Sequence, residues 1–342
     1  MIRQSTLTED PPLPLLITGI AGVAGFNAFH YFQERFPGQV IGTRRADNWP
    51  LRGEGIEGCD AEDYDGFADL FERYRFQGVL NCEGTCKLKS CELDPAMAQR
   101  VNVLGVSNLL KLAGQYSARL VHLSIDLVFS GLGEGGHFEG DATDPVTVYG
   151  RTMVEAEERV LEADPSACLL RISLPMGISH NGHAGAIDWI QSRFMKSKPA
   201  TLYFDEVRTP TYTDCLNRLL QQVLTGDLNG LYHAGGPRRL SLYEIAQIVN
   251  RIGGYAPEHL MGCNREEAGP VPPRAGNVSM NSDKLTAALG FEPFDPWPYC
   301  QDHVPTHRDW HCERLASEPG SPELLADVLY RNPNRQEKIG EG

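Results

Sequence analysis

Short, unbroken apolar runs alternate with longer amphipathic stretches along the first half of the chain. The runs fall at residues 13–18 (LPLLIT), 39–43, 55–59, 77–81, 118–124 and 167–172 (ACLLRI). Runs of this length without polar alternation mark strands buried on both faces, as in a parallel sheet. Helical patterns occupy the intervals, over residues 64–74, 94–116 and 148–161 and from the first run to about residue 36. Strand and helix in strict alternation predict a doubly wound α/β sheet. After Pro175 the texture changes to short helices (187–195, 214–224, 242–252), short strands (201–204, 231–233) and Pro/Gly-rich turns. This predicts a smaller α+β lobe over the C-terminal edge of the sheet, where ligands sit in such folds. The expected limits are 13–175 for the sheet domain and 176–331 for the lobe, some of whose segments return to the sheet. Polar tails at 1–12 and 332–342 are expected to be disordered.

The first run leads directly into Gly19-Ile20-Ala21-Gly22-Val23-Ala24-Gly25. This GxxGxxG spacing supplies a tight turn, close backbone approach to a pyrophosphate and close helix–strand packing, with helix N–H groups aimed at the phosphates. Strand, loop and helix stand in the order a dinucleotide site requires. The predicted fold is therefore a Rossmann-type doubly wound parallel sheet with a smaller C-terminal α+β substrate lobe. Gly19, Ala21, Gly22, Val23 and Gly25 form its cofactor loop. The second strand ends in Arg44-Arg45. An acid there would accept the ribose 2′-OH of NAD, whereas an arginine suits the 2′-phosphate of NADP. Two solvated surface arginines are the plainer alternative. NADP(H) is the expected cofactor, with NAD(H) left open. Asp60, at the end of the third strand, is either an adenine-edge contact or a cap for the helix over 64–74. Cys82, Glu83 and Gly84 follow the fourth strand and are expected to line the cofactor ribose and the mouth of the active site.

Composition narrows the function classes. At 342 residues the chain exceeds the roughly 250–300 residues at which single cores stop growing, in keeping with two lobes. A hydrophobic share of 41% and a charged share of 22% describe an ordinary globular chain rather than a disordered one. A net charge of -14 argues against nucleic-acid or anionic-membrane binding, both of which need a basic face. Neither a secretory leader nor an apolar stretch approaching the ~20 residues of a membrane span is expected. The nine cysteines read as reduced thiols of a cytoplasmic protein.

Residues 121–153, VHLSIDLVFSGLGEGGHFEGDATDPVTVYGRTM, concentrate the chemistry. A buried strand runs into a polar elbow at Ser124 and Asp126, then a Gly/Glu-rich loop, then Tyr149 at a helix start. The loop over 131–140 is read as a surface connection in preference to a lid. With GIAGVAG at 19–25, ELDP at 92–95, LSIDLVFSG at 123–131, DPVTVYG at 144–150, LRISLPMG at 170–177, DEVRTPTYTDCL at 205–216 and PPRAGNVSMNSDKL at 272–285, the chain resembles the extended short-chain dehydrogenase/reductases. Within them it resembles the dTDP-4-dehydrorhamnose reductase-like branch, which also contains the regulatory beta subunit of methionine adenosyltransferase. The resemblance implies NADPH-dependent reduction of a 4-keto-6-deoxy nucleotide sugar by a Ser/Thr–Tyr–Lys relay. A catalytically impaired cofactor-binding regulatory or scaffold protein and a nucleotide-sugar epimerase or dehydratase are the alternatives. It adds Asn102, Tyr149 and Met153 to the cofactor side and places Asp126, Val128, Phe129, Arg208 and Arg274 on the substrate side. Partners are a nucleotide sugar and, as an open option, a second copy of the chain.

The relay is incomplete. Tyr149 stands in its expected VYG context, but the hydroxyl position falls on Ile125 and the lysine position on Met153. Ser124 can supply the hydroxyl only if the strand end shifts by one residue, which reverses its side-chain direction. Arg151, two residues from Tyr149 on a helix, points away from its face. A tyrosine with an ordinary pKa near 10 is about one part in a thousand ionised at pH 7, which hampers a base and suits an acid. Other clusters carry less. Cys82, Cys86 and Cys91 lack zinc-knuckle spacing. His303, His307 and His311 recur every four residues but are interrupted by Pro305, so packing rather than metal binding is expected. His180, His183 and Asp188 are candidate sugar contacts in the lobe-crossing segment.

Overall fold

The computed structural model describes residues 10–183, 185–314 and 320–333. The six predicted runs form β1 (Leu15–Thr18), β2 (Val40–Arg44), β3 (Ile56–Gly58), β4 (Gly78–Asn81), β5 (Arg119–Ile125) and β6 (Cys168–Ile172). Gly230–Ala234 returns from the C-terminal half to complete a seven-stranded sheet, lying beside β6, which is followed across the sheet by β5, β4, β1, β2 and β3. Every neighbouring pair is parallel. The two-residue period of a strand sends Leu15 and Ile17 into the apolar cluster with Phe29 and Phe32, and Leu16 into the opposite one with Phe67, Phe71 and Leu109. Both faces are buried, which is why these strands read as unbroken apolar runs.

Helices α1 (Val23–Arg35), α2 (Tyr64–Tyr74), α3 (Leu88–Leu93), α4 (Pro95–Gln99), α5 (Gly105–Tyr116) and α6 (Val148–Ala163) lie in the first half. The long helix expected over 94–116 is broken by a π-helical turn at Arg100–Leu104. That turn rotates Asn102 inward, where its side chain bonds two other segments, a use typical of π-bulges near sites. Asp63, not Asp60, caps α2, accepting the Gly66 N–H at 3.0 Å.

Three two-stranded sheets follow at the C-terminal side. Thr211–Tyr212 pairs with Pro175–Met176, Leu240–Ser241 with Val207–Arg208, and Leu260–Cys263 with Ala200–Tyr203. The loop 131–140 is stitched to the body rather than floating over it. The His137 backbone exchanges hydrogen bonds with Ser279 and Asn281 at 2.9 and 2.8 Å, and its ring stacks on Phe129 at 4.0 Å. Residues 1–9 and 334–342 of the expected tails lie outside the described residues. Asn332, assigned to a disordered tail, is instead 1% exposed, because its amide finds the Asp295 carboxylate and the Cys215 thiol.

Behind the sheet edge lies a buried charge network. Arg171 on β6 donates to both carboxylate oxygens of Glu157 on α6, at 2.9 and 2.7 Å. The Ser124 hydroxyl donates to the same Glu157. Burial holds His233 down at about 4, so it is neutral. Its Nε2 accepts from Arg171 while Nδ1 faces the His137 carbonyl. Removing one member of such a pair strands the other charge. Arg171→Met should destabilise the fold by ~3–5 kcal/mol, read as a lowered urea midpoint, and adding Glu157→Leu should recover most of that loss.

Candidate active site

A cavity of about 850 Å³ runs from the glycine loop to the small C-terminal sheets, past the C-terminal end of β5. Its cofactor end is built by backbone constraint. Gly19 has φ +66°, and a Cβ there would sit 2.5 Å from the Cys82 carbonyl oxygen. A Cβ on Gly25 would meet the Gly19 carbonyl oxygen at 2.5 Å. A Cβ on Gly22 would meet protein only at 3.5 Å, so there the glycine leaves the cavity open beside the start of α1. No acidic side chain occupies the first turn of α1, leaving its N–H groups and dipole for an anion. Val23 shares this wall, whereas the Ala21 carbonyl faces His180 Nδ1 at 3.1 Å. His180 therefore abuts the glycine loop rather than the far end, His183 is exposed, and Asp188 accepts the Gly185 N–H at a helix start.

The two strand-end arginines have different tasks. Arg44 is folded under the following loop, its guanidinium donating to the carbonyls of Leu51, Arg45 and Ala46. Arg45 projects outward, half-exposed, with Asp47 at 3.2 Å. Asp60 accepts the Ala46 N–H at 3.0 Å and so shapes this same loop. Cys82, Glu83 and Gly84 form the facing wall. Burial pushes Glu83 up to about 7, against Arg45 and the Gly19 N–H, which favour its charge. Asn102 does not reach the cavity. Its Oδ1 accepts the Thr85 N–H and its Nδ2 donates to Thr152, both at 2.8 Å.

Tyr149 lines the cavity with Ile125 and Met153. Thr147 caps α6 through the Gly150 N–H at 2.9 Å. A Cβ on Gly150 would come within 2.3 Å of the Leu127 carbonyl oxygen, so glycine lets this turn seat against β5's exit. Tyr149 is 7% exposed, and its hydroxyl has no hydrogen-bond partner among the described residues. Burial raises its pKa, Cys86 and Asp126 add to the rise, and Arg208 opposes it. The phenol is therefore neutral. Ser124 is no substitute for the absent hydroxyl, since its Oγ is engaged with Glu157.

At the far end, Arg208 and Arg274 line the cavity. Arg208 Nε donates to Asp126 at 2.6 Å and its Nη2 to the other carboxylate oxygen. Burial works against the Arg208 charge, but Asp126 outweighs it and the pKa is raised. Asp126 also accepts from Ser173 at 2.6 Å, so it positions Arg208 and is not a sugar contact. Val128 and Phe129, expected on the substrate side, are fully buried, with Phe129 held between His137 and the Arg171 guanidinium. Residues missed in the sequence are Trp189, Arg193, Tyr203 and Glu206, all on the cavity wall. Their signal was periodic: Trp189 and Arg193 are one helical turn apart, and Glu206 and Arg208 share one side of a strand. The C-terminal histidines do not share a helix. His311 is buried against Gln247 and His307 pairs with Glu313 at 3.1 Å.

A family model described as the RmlD substrate binding domain matches residues 13–303. dTDP-4-dehydrorhamnose reductase of Mycolicibacterium smegmatis is 28% identical over 270 residues, covering 76% of this chain and 80% of that protein. Methionine adenosyltransferase 2 subunit beta of Xenopus laevis is 26% identical over 284 residues, covering 80% and 82%. The crystal structure of dTDP-4-dehydrorhamnose reductase from Bacillus anthracis in complex with NADP shares the fold with a TM-score of 0.69 at 20% identity, covering 83% of this chain and 95% of that one. Sequence motifs, sheet order and family match agree: the chain belongs to the RmlD substrate-binding domain family.

Proposed function

We propose that this protein binds NADP(H) and a nucleotide sugar in one cavity and reduces the ketone of a 4-keto-6-deoxy sugar, with Tyr149 as proton donor. The carrying observation is the neutral, unpartnered Tyr149 hydroxyl on the wall of a cavity that also holds an open glycine cradle and two arginines. The cradle fits the cofactor: Gly22 leaves room for a pyrophosphate, α1 presents its N-terminus, and Arg45 can meet a 2′-phosphate. When bound, NADPH supplies the hydride. Arg208 and Arg274 hold the diphosphate of the sugar nucleotide through charge-assisted hydrogen bonds. Ile125, Met153 and Leu174 keep the centre dry, which strengthens the donor's interaction with the developing alkoxide. A neutral phenol suits donation, whereas an epimerase or dehydratase also needs a base.

A second reading is carried by Ile125, Met153 and the engagement of Ser124 with Glu157: both ligands bind without turnover, and the protein acts as a cofactor-responsive subunit. Methionine adenosyltransferase subunits among the relatives accord with it.

Three outcomes test the proposal. In stopped-flow or steady-state assays with a dTDP-4-keto-6-deoxy sugar, Tyr149→Phe should lower the rate of NADPH oxidation by ~10²–10⁴ with NADPH affinity unchanged. NADPH binding without turnover of any 4-keto nucleotide sugar by the unaltered protein would leave the second reading. Arg45→Ala should weaken NADPH binding by about tenfold, the worth of one charge-assisted hydrogen bond, and leave NADH binding unchanged. Glu83 is neutral below about pH 7 and anionic above it. Its charge then opposes the pyrophosphate, so calorimetric NADH affinity should fall several-fold from about pH 6 to 8. Glu83→Gln should abolish that slope.

A further inference from the structure

With Ile125 and Met153 in place of hydroxyl and lysine, Tyr149 has apolar neighbours on its own strand–helix edge. A polar group on the same cavity wall comes from elsewhere. Cys86, in the loop between β4 and α3, lies on that wall. Its exposed surface faces the cavity.

Hydrogen bonds tie the loop that carries Cys86 to α6. The Thr85 N–H donates to Asn102 Oδ1, Asn102 Nδ2 donates to Thr152 Oγ1, and Thr152 Oγ1 donates to the Tyr149 carbonyl at 2.9 Å. A second tie runs from the Val148 N–H to Glu92 Oε1 at 2.6 Å. A third joins the Cys91 thiol to the Thr85 carbonyl at 3.4 Å. Both ends of segment 85–92 are thus tied to α6, which holds the loop carrying Cys86 beside the turn that carries Tyr149. Independently, the Tyr149 hydroxyl opens into the cavity from a side chain 7% exposed, without a protein partner among the described residues. A buried phenol so placed awaits an oxygen or nitrogen of a ligand.

We propose that the Cys86 thiol is the second hydrogen-bond donor of this site, converging with the Tyr149 hydroxyl on the carbonyl oxygen of the sugar. The inference rests on the reductase reading for its substrate. No bond to sulfur forms. Tyr149 transfers its proton to the oxygen as the carbonyl carbon accepts hydride from NADPH, and Cys86 keeps its proton while donating a hydrogen bond. Although the side chain is accessible from the cavity, the surrounding walls desolvate the thiol and raise its pKa, ahead of its own backbone N–H and Lys87, which favour the thiolate. The group is therefore S–H at neutral pH, a donor and not a nucleophile. Cys82 is no rival, since its segment packs on Gly19 at the cofactor end.

The experiment has one arm that needs turnover and one that does not. Cys86→Ala should lower kcat about tenfold, less than an oxyanion-hole amide because a thiol donates weakly. KM for NADPH should be unchanged, and Cys86→Ser should restore kcat. A Cys86→Ala enzyme within twofold of the unaltered kcat would overturn the proposal. In the second arm, alkylation of Cys86 by N-ethylmaleimide is followed by peptide mass spectrometry with NADP⁺ present throughout. A dTDP-4-keto-6-deoxy sugar should slow labelling at Cys86 at least tenfold and leave labelling at Cys300 unaffected. Unslowed labelling while calorimetry shows the sugar nucleotide bound would overturn it, with or without turnover. If the unaltered protein turns over no 4-keto nucleotide sugar yet Cys86 is protected, the reductase reading fails and the contact to the ligand stands.

Discussion

The Asp126–Arg208 pair joins the exit of β5 to the C-terminal sheets across 82 residues of sequence, with side chains 0% and 5% exposed. Withdrawing two such charges from water costs several kcal/mol per ion, and their attraction offsets this only when the remaining lone pairs and protons are satisfied. Here Asp126 accepts from two guanidinium nitrogens and from Ser173, and Ser173 in turn accepts the Thr209 N–H at 3.1 Å. The pair therefore fixes position more than it adds stability. It holds the strand Val207–Arg208 over the C-terminal edge of the sheet, and with it Glu206 and, through the adjacent loop, Arg274. Without it the cavity would have a cofactor end and no opposite wall.

That arrangement explains which parts of the molecule could be read from the chain. Runs such as LPLLIT and ACLLRI are visible because both faces of their strands are covered, and the glycine loop is visible because Gly19 and Gly25 answer steric demands a few residues away. Ser124 and Asp126 misled for the opposite reason. Both are polar at a sheet edge, where a free polar group suggests chemistry, yet their partners, Glu157 and Arg208, are 33 and 82 residues distant. Nothing local distinguishes a hydroxyl aimed at substrate from one aimed at a buried carboxylate. The loop 131–140 reads as a surface connection by composition. Its order comes from a ladder with residues 277–281 and from the Phe129–His137 stack, contacts no windowed pattern contains.

Strand alternation links these points to the chemistry. Ser124 and Ile125 must face opposite sides of β5. Ser124 is committed to the Glu157–Arg171 side, so Ile125 is the residue presented toward Tyr149. A one-residue slip to recover the hydroxyl would break the Ser124–Glu157 bond and put an apolar side chain against a buried ion pair. The network behind the sheet thus keeps Ser124 from serving as the relay hydroxyl, and in this sequence a second donor has to come from another segment.

The absence of a cation four residues after Tyr149 then sets a direction. A lysine there would stabilise phenolate and serve proton abstraction as well as donation. Met153 contributes only apolar surface, burial raises the phenol's pKa, and the opposing pull of Arg208 is countered by the neighbouring Asp126. Ionised Tyr149 is accordingly rarer than the one part in about a thousand expected of a solvated tyrosine at pH 7. A site of this kind loses far more as a base than as an acid, because the acid form is the one always present. Epimerisation and dehydration require removal of a proton from the sugar, whereas ketone reduction requires only its delivery, so the substitutions at 125 and 153 bear unequally on the chemistries available to this fold.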